Sequence, residues 1–277
     1  MMSQTALSGF RNEDWVVGQF NSHRSGSCGA GWLDAMGYRH FSRVCAQTTR
    51  RMGFFNKADV LVLVDDNVEW ISVKKFIASF NQIDKRRVGV FAEIWKMPDA
   101  VTDSLRMYCG EEGYRPSDIC ESISSLRDPR RFFMDELPNG QKEQAVSFLN
   151  KKKKKIIRDV MAGRGRAAAR WMLAVEERLD APPKSALVRM DDVVRHYAEG
   201  PALITRTGNL RLGRITIQRK GGDGGKTRRK CYNSSSHPES CSGLTGRMCL
   251  EIRTPDRSTG AGHRAAVAAC GQMRPSA

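Results

Sequence analysis

The chain lacks the features that would assign it to a membrane, a secretory pathway or a zinc site. No apolar run in its 277 residues approaches the roughly 20 residues that a membrane-spanning helix requires. The first residues, MMSQTALSGFRNEDW, lack the charged and then apolar pattern of a signal peptide. No cysteines form a CxxC pair, and the five histidines show no metal-ligand spacing. We therefore expect a soluble, cytoplasmic protein whose eight cysteines are free thiols.

Positive charge, by contrast, is in excess. The chain has 46 lysine and arginine residues against 30 aspartate and glutamate residues, a formal net charge of +16. Such an excess favours an anionic partner, most often nucleic acid, with a merely basic soluble protein as the alternative. With 40% hydrophobic and 27% charged residues, the composition is that of a globular protein with a proper core.

The composition changes near Lys226. Residues 226–277 hold nine basic residues, three acidic residues and four of the eight cysteines. They contain no phenylalanine or tryptophan and show no regular apolar spacing. We therefore predict one domain over residues 1–225 and a poorly ordered basic tail over residues 226–277.

The apolar spacing of residues 1–225 predicts a mixed α/β domain. Helices are predicted over residues 12–21, near 32–38, from 81 onwards to about 95, irregularly over 99–127, and over 138–179 and 190–197. Strands are predicted over residues 41–46, 58–64, 68–76, 202–206 and 210–220.

An acid and a lysine on two consecutive predicted strands form the most informative pattern. Asp59 lies at the start of the first strand, and Lys74 lies near the end of the second. Because Asp65-Asp66-Asn67 predicts a turn between the strands, the two residues share one edge of a hairpin. Hydrolysis of a phosphodiester requires a carboxylate that holds a divalent metal and a lysine that positions or activates water. A structural hairpin with solvated ends is the alternative.

Eight segments extend the pattern in order along residues 7–225: GFRNEDWVVGQFN, WLDAMGY, ADVLVLV, SVKKF, FNQIDKR, RRFFMDE, GRGR…WML and LGRITIQRKGGDGG. Together they resemble a family of prokaryotic type II restriction endonucleases of the PD-(D/E)xK nuclease superfamily. The resemblance implies a restriction-endonuclease-like mixed α/β (α+β) core with a sheet flanked by helices. We expect this core to carry a helical insertion around residues 100–200, and the composition predicts the poorly ordered tail. It also implies Mg²⁺-dependent, sequence-specific hydrolysis of double-stranded DNA, most simply by a homodimer.

The resemblance also implies roles for individual residues. Asp59 would be the metal carboxylate and Lys74 the catalytic lysine, while Ser72 stands where the family has glutamine and its relatives have glutamate. A serine hydroxyl is a poorer metal ligand. Glu13 is the candidate second metal carboxylate, with an exposed acid at a helix start as the alternative. The candidate DNA-binding residues are Asn81, Gln82, Lys85, Arg86, Gln218, Arg219 and Lys220. A rival placement makes residues 218–220 the catalytic strand.

The tail departs from the family pattern after the glycine-rich loop. There the family reads AKMLQFK, whereas residues 226–238 read KTRRKCYNSSSHP. Suitable codons for residues 227–238, read with a shift of one base, encode DAAKMLQFKLTP and so contain the expected strand. We expect that a single-base insertion or deletion near codon 226 replaced the native C-terminal sequence. The strand ending at Lys220 would then have an open edge.

Two other functions follow from the same residues. Because Ser72 and the altered tail each depart from the family, the second hypothesis is a catalytically impaired DNA-binding remnant of such an enzyme. The third is a structural or RNA-binding protein, which the lack of aromatic-rich RNA-binding motifs disfavours.

Overall fold

A computed structural model describes residues 4–52, 57–75, 80–116, 118, 127–128, 130–176, 183–220 and 247–253 of the chain. The helices are α1 (Gln4–Asn21), α2 (Cys28–Met36), α3 (Val88–Trp95), α4 (Asp99–Cys109), α5 (Asn139–Ala162) and α6 (Met190–Tyr197). Short 3-10 helices cover Thr49–Met52 and Met134–Glu136. The strands are β1 (Val44–Thr48), β2 (Val60–Val64), β3 (Asn67–Lys75), β4 (Phe80–Arg87), β5 (Trp171–Glu176), β6 (Lys184–Arg189), β7 (Ala202–Ile204), β8 (Leu210–Leu212), β9 (Ile215–Lys220) and β10 (Arg247–Arg253).

The backbone forms two compact units, and each contains one five-stranded sheet. The first unit includes Met1–Ser79 and Arg158–His196. Its sheet has the strand order β1-β2-β3-β5-β6, in which β3 and β5 are parallel and the other neighbours are antiparallel. Helix α1 packs against β1, β2 and β3. This is the mixed sheet flanked by helices that the motifs predicted.

The core of the first unit forms because β2 alternates in burial. Its three valines are fully buried and the leucines between them are half-buried, as expected for a strand with one face on the core. Val16 and Phe20 of α1 and Trp32 and Leu33 of α2 belong to the same apolar cluster. The rings of Phe20 and Trp32 lie 5.1 Å apart, so the two helices are joined by aromatic packing.

The buried carboxylate of Glu69, on β3, contacts side chains from other segments of this unit. The side chain of Glu69 accepts hydrogen bonds from the hydroxyl of Tyr38 at 2.8 Å and from the indole N–H of Trp171 at 2.9 Å. Arg170 lies 3.7 Å from the same carboxylate. Burial and the hydrogen bond to Glu69 raise the pKa of Tyr38 to about 12. Because all three neighbours compensate the Glu69 charge, this group has a structural role in the core.

The second unit contains Phe80–Ile157 and Tyr197–Arg253. Its sheet is antiparallel throughout, with the order β4-β10-β9-β8-β7. Tyr108 of α4 is fully buried, and its hydroxyl donates to the carbonyl of Ile217 at 2.6 Å and accepts from the N–H of Leu210 at 3.3 Å. Burial raises the pKa of Tyr108 above its ordinary value. Helix α4 is thereby fixed to β8 and β9.

The hairpin predicted over residues 58–64 and 68–76 is confirmed as β2 and β3. The helix predicted over 138–179 is wrong in its second half, because α5 ends at Ala162 and β5 follows. Gly163 and Gly165 both have positive φ, which ends the helix, and WMLAVE then alternates in burial as a strand does. Residues 80–87 form β4, whereas the sequence predicted that a helix running to about residue 95 begins in this segment.

The open edge expected after Lys220 is also wrong. Strand β10 pairs with β9 on one side and with β4 on the other, so part of the predicted tail completes the sheet. Residues 221–246 and 254–277 lie outside the described residues. The domain boundary at 225, the low order of the tail and its altered reading frame therefore stay predictions.

Among the described helices, none is long and apolar enough to cross a membrane. Cys28, Cys45 and Cys109, whose side chains are described, are free thiols, in agreement with the sequence prediction.

Candidate active site

Asp59 lies directly before β2, and its carboxylate faces the end of β3. Its Oδ2 atom accepts hydrogen bonds from the N–H of Val73 at 2.7 Å, the hydroxyl of Ser72 at 3.2 Å and Nζ of Lys74 at 3.3 Å. The Lys74 ammonium also donates to the carbonyl of Val73 at 3.1 Å. The structure thus brings together the acid and the lysine that the sequence placed at one edge of a hairpin.

The backbone around Asp59 is fixed by two neighbouring segments. The Asp59 N–H donates to the carbonyl of Ile71 at 2.8 Å, which continues the β2–β3 ladder. The Thr49 N–H donates to the Asp59 carbonyl at 3.0 Å, and the Thr49 hydroxyl donates to the carbonyl of Ala58 at 2.8 Å. Because the backbone is held on both sides, the carboxylate has a defined position before any ligand arrives.

Ser72 is fully buried. Its hydroxyl donates to Asp59. A neutral hydroxyl is a weaker ligand for a divalent metal than a carboxylate, and this one points its hydrogen at Asp59. The arrangement therefore makes Ser72 a residue that orients Asp59.

Glu13 of α1 lies beside this pair. Burial, together with the charges of Asp59 and Asp14, raises the pKa of Glu13 to about 7, although the positive charges of Arg50 and Lys74 oppose the shift. Its side chain is only 16% exposed, and it lies in the middle of α1, which begins at Gln4. The alternative of an exposed acid at a helix start is therefore wrong.

Arg50 is a member of this cluster that the sequence did not reveal. It lies in the 3-10 helix that follows β1, next to Thr49, and its Nε atom lies 3.7 Å from a carboxylate oxygen of Glu13. Its Nη2 atom donates to Asp14 at 3.2 Å. No local motif identifies such a residue, because its partners lie on α1, far away in the sequence.

The carboxylates of Asp59 and Glu13 could hold a divalent metal ion. Among the described residues, Oδ1 of Asp59 has no hydrogen-bond donor, whereas Oδ2 has three. Mg²⁺ is typically bound by one or two carboxylates together with phosphate oxygens and water, so this donor set fits it. Within the part of the chain that the structure describes, no three or more histidine, cysteine, aspartate and glutamate side chains are grouped so that they could hold a metal ion.

The predicted DNA-binding segments lie in the second unit, and strand β10 pairs with both. Lys85 of β4 pairs with Cys249, which pairs with Gln218 of β9. The Arg86 side chain is half-buried. The side chains of the other six predicted residues lie outside the described part of the chain: Asn81, Gln82, Lys85, Gln218, Arg219 and Lys220. Their contribution to DNA binding and the rival catalytic placement at 218–220 stay predictions.

Comparisons with known proteins identify this fold and its family. The chain resembles the restriction endonuclease MspI, solved in complex with its cognate DNA, with a TM-score of 0.54 and 12% sequence identity over 90% of this chain and 93% of that one. The fold is therefore that of a restriction endonuclease. The family model of the R.HinP1I restriction endonuclease matches residues 48–238, more than half of the chain. The protein belongs to the R.HinP1I restriction endonuclease family.

Membership of the type II restriction endonucleases and the mixed-sheet fold class are thus confirmed. The matched residues include Arg50, Asp59, Ser72 and Lys74, and they exclude Glu13. The match ends at residue 238, within the segment that we expect to be out of frame. Among curated protein sequences, none matches the chain.

Proposed function

We propose that the protein is a Mg²⁺-dependent type II restriction endonuclease that hydrolyses double-stranded DNA at a specific sequence. The main observation that supports the proposal is the ion pair between Asp59 and Lys74 at the edge of the β2–β3 hairpin. Glu13 lies close enough for the charges of both residues to affect its pKa. Carboxylates that bind a metal and a positioned ammonium group are what metal-assisted phosphodiester hydrolysis requires. Membership of a restriction endonuclease family supports the same reaction class.

Asp59 and Glu13 would hold the Mg²⁺ ion. When bound there, the ion would polarise the scissile phosphate and lower the pKa of the attacking water. The Lys74 ammonium, held by Asp59 and by the carbonyl of Val73, orients that water and stabilises the negative charge that develops on the phosphate. Ser72 donates to Oδ2 of Asp59 and leaves Oδ1 as the oxygen available to the ion.

DNA would also contact the second unit, through the candidate residues of β4 and β9. The DNA-bound state of MspI, which shares the fold, supports a duplex as the partner. Contacts to phosphates would make binding weaken steeply as the salt concentration rises. A homodimer acting in the cytoplasm, with one active site for each strand, is the simplest arrangement that cuts both strands of a symmetric site.

Incubation with DNA tests the proposal. Purified protein is mixed with unmethylated phage DNA and Mg²⁺, and the products are separated by size and their ends sequenced. We expect discrete fragments that share one terminal sequence and that disappear when Mg²⁺ is chelated. A product smear, or cutting that does not respond to chelation, would contradict the proposal.

Ser72 favours one alternative function, a DNA-binding remnant that does not cut. A glutamine or glutamate at this position would provide a carbonyl or carboxylate oxygen, whereas Ser72 offers only a short, neutral hydroxyl that points its hydrogen at Asp59. The same assay separates the two functions, because a remnant would shift DNA on a gel at low salt and yield no fragments.

A further inference from the structure

Arg50 has contacts that neither the sequence motifs nor the family pattern explains. Its guanidinium lies 4.2 Å from the centre of the Phe10 ring, and its side chain is 38% exposed. Its hydrogen bonds to the described residues come from Nη2 alone and reach the two carboxylate oxygens of Asp14 at 3.2 and 3.3 Å. The guanidinium is thus held in a defined plane while other N–H groups remain available to an incoming anion.

The ion pair between Arg50 and Glu13 is loose enough for Arg50 to leave Glu13 and bind another anion. At 3.7 Å from Nε to Oε2, the two groups attract each other without a hydrogen bond. A divalent cation that binds Glu13 and Asp59 supplies the positive charge that Arg50 otherwise provides to Glu13. The guanidinium is then attracted more strongly to an anionic group of the substrate than to Glu13, whose charge the metal ion already compensates.

Arg50 also lies at the cleavage centre within its own unit. Its neighbour Thr49 donates to the backbone carbonyls of Ala58 and Asp59, so the backbone next to Arg50 is tied to the backbone that positions Asp59. A planar guanidinium with free N–H groups matches two phosphate oxygens, whereas the compact ammonium of lysine matches one.

We propose that Arg50 binds a phosphate of the DNA strand at the active site, next to the carboxylates of Glu13 and Asp59. The proposal rests on the proposed nuclease function and adds to it a phosphate-binding residue. Arg50 would remain on the Phe10 ring and on Asp14, and exchange its ion pair with Glu13 for a contact with the phosphate.

Salt-dependent DNA binding tests this role without requiring catalysis. The full chain is titrated onto a pool of short duplexes of random sequence in the presence of Ca²⁺, and the dissociation constant is measured over a range of salt concentrations. We compare the wild type with Arg50→Gln and with the control Arg39→Gln. Arg39 is a matched control because it is also an arginine of the first unit, lies 3.6 Å from Asp34 and is 81% exposed.

For Arg50→Gln, we expect the slope of log binding constant against log salt to become shallower by about 0.9, the value for one lost phosphate contact. Binding at low salt should weaken by about tenfold or more, the loss expected for a charge-assisted hydrogen bond. Arg39→Gln should match the wild type in both quantities. An unchanged slope for Arg50→Gln, or an equal change in both variants, would overturn the assignment.

A second variant, Arg50→Lys, keeps the positive charge beside Glu13 and so protects the fold. We expect it to retain the wild-type slope and to bind about tenfold more weakly, because lysine cannot contact two oxygens at once. Wild-type affinity in Arg50→Lys would overturn the two-oxygen contact. If the wild type bound no DNA at low salt, the proposed function and this inference would both be contradicted. If the wild type bound DNA and Arg50→Gln bound it equally well, only the inference would be overturned.

Discussion

The ammonium of Lys74 lies 3.3 Å from Oδ2 of Asp59, the same oxygen that accepts the N–H of Val73 at 2.7 Å. One oxygen of the carboxylate is therefore used to fix the hairpin edge. The other oxygen, Oδ1, accepts no hydrogen bond from the described residues and is the one that we propose binds the metal ion. Binding of the ion would therefore leave the position of Asp59 unchanged.

Replacement of Lys74 by alanine should remove cleavage while leaving DNA binding largely intact. We expect the cutting rate to fall by about 10²- to 10⁴-fold, the usual range for a group that transfers or positions a proton. The control is Lys75→Ala, because Lys75 is the adjacent, exposed residue of β3. Single-turnover cutting rates measure both variants, and equal losses in the two would argue against a specific role for Lys74.

Replacement of Ser72 by alanine should have a smaller effect. The variant loses one buried hydrogen bond to Asp59, so we expect the free energy of unfolding to fall by about 1 kcal/mol. The cutting rate should fall less than in Lys74→Ala, because the Val73 N–H still holds Asp59. Urea denaturation and single-turnover rates measure the two quantities. A rate loss as large as that of Lys74→Ala would show that the hydroxyl takes part directly.

Glu13 should make the stability of the protein depend on pH. Burial and the charge of Asp59 raise its pKa from 4.5 to about 7 in the folded state. The folded state therefore keeps a proton that the unfolded state loses, so this contribution is fully present below pH 4.5 and is lost as the pH rises through about 7.

Glu13→Gln isolates this effect, because the other titrating groups stay in place. We expect the variant to gain stability relative to the wild type as the pH rises between 4.5 and about 7, and to gain none beyond that range. Denaturant midpoints measured across this range test the prediction. A constant difference between variant and wild type would mean that Glu13 ionises as an ordinary glutamate.

Removal of the buried carboxylate of Glu69 should destabilise the first unit. Glu69→Ala leaves the Tyr38 hydroxyl and the Trp171 N–H without their shared acceptor, and we expect a loss of about 3 kcal/mol. Glu93→Ala, which replaces an exposed glutamate of α3, should change stability by less than about 0.5 kcal/mol. Denaturation curves compare the two variants, and similar small losses in both would contradict a structural role for Glu69.

The sequence predicted the site's hairpin well because its signals are local. The alternation of Val60 to Val64 and the turn at Asp65-Asp66-Asn67 depend on neighbouring residues alone, and they place Asp59 and Lys74 at the same edge. The Arg50 and Glu69 contacts could not be predicted in this way. They join residues that are separated by 31 to 102 positions and meet only in the folded unit.

Strands β5 and β10 show the same limit for the fold. The helical pattern predicted over residues 138–179 includes WMLAVE, whereas its parallel pairing with β3 and antiparallel pairing with β6 make this segment a strand. Residues 247–253 read RMCLEIR, in which Met248, Leu250 and Ile252 alternate with other residues as in a strand. The expectation that the tail has no regular apolar spacing is therefore wrong for this segment. Its place between β4 and β9 depends on two distant strands and could not be predicted locally.

The central claim is that Asp59 and Lys74 form a metal-dependent DNA-cutting site. The most direct measurement is the single-turnover cutting rate of unmethylated phage DNA by the wild type and by Asp59→Asn, as a function of Mg²⁺ concentration. Asparagine keeps the size of the side chain and removes its charge. We predict Mg²⁺-dependent fragments from the wild type and none from Asp59→Asn, although the variant still binds DNA. Cutting by Asp59→Asn at the wild-type rate would contradict the account.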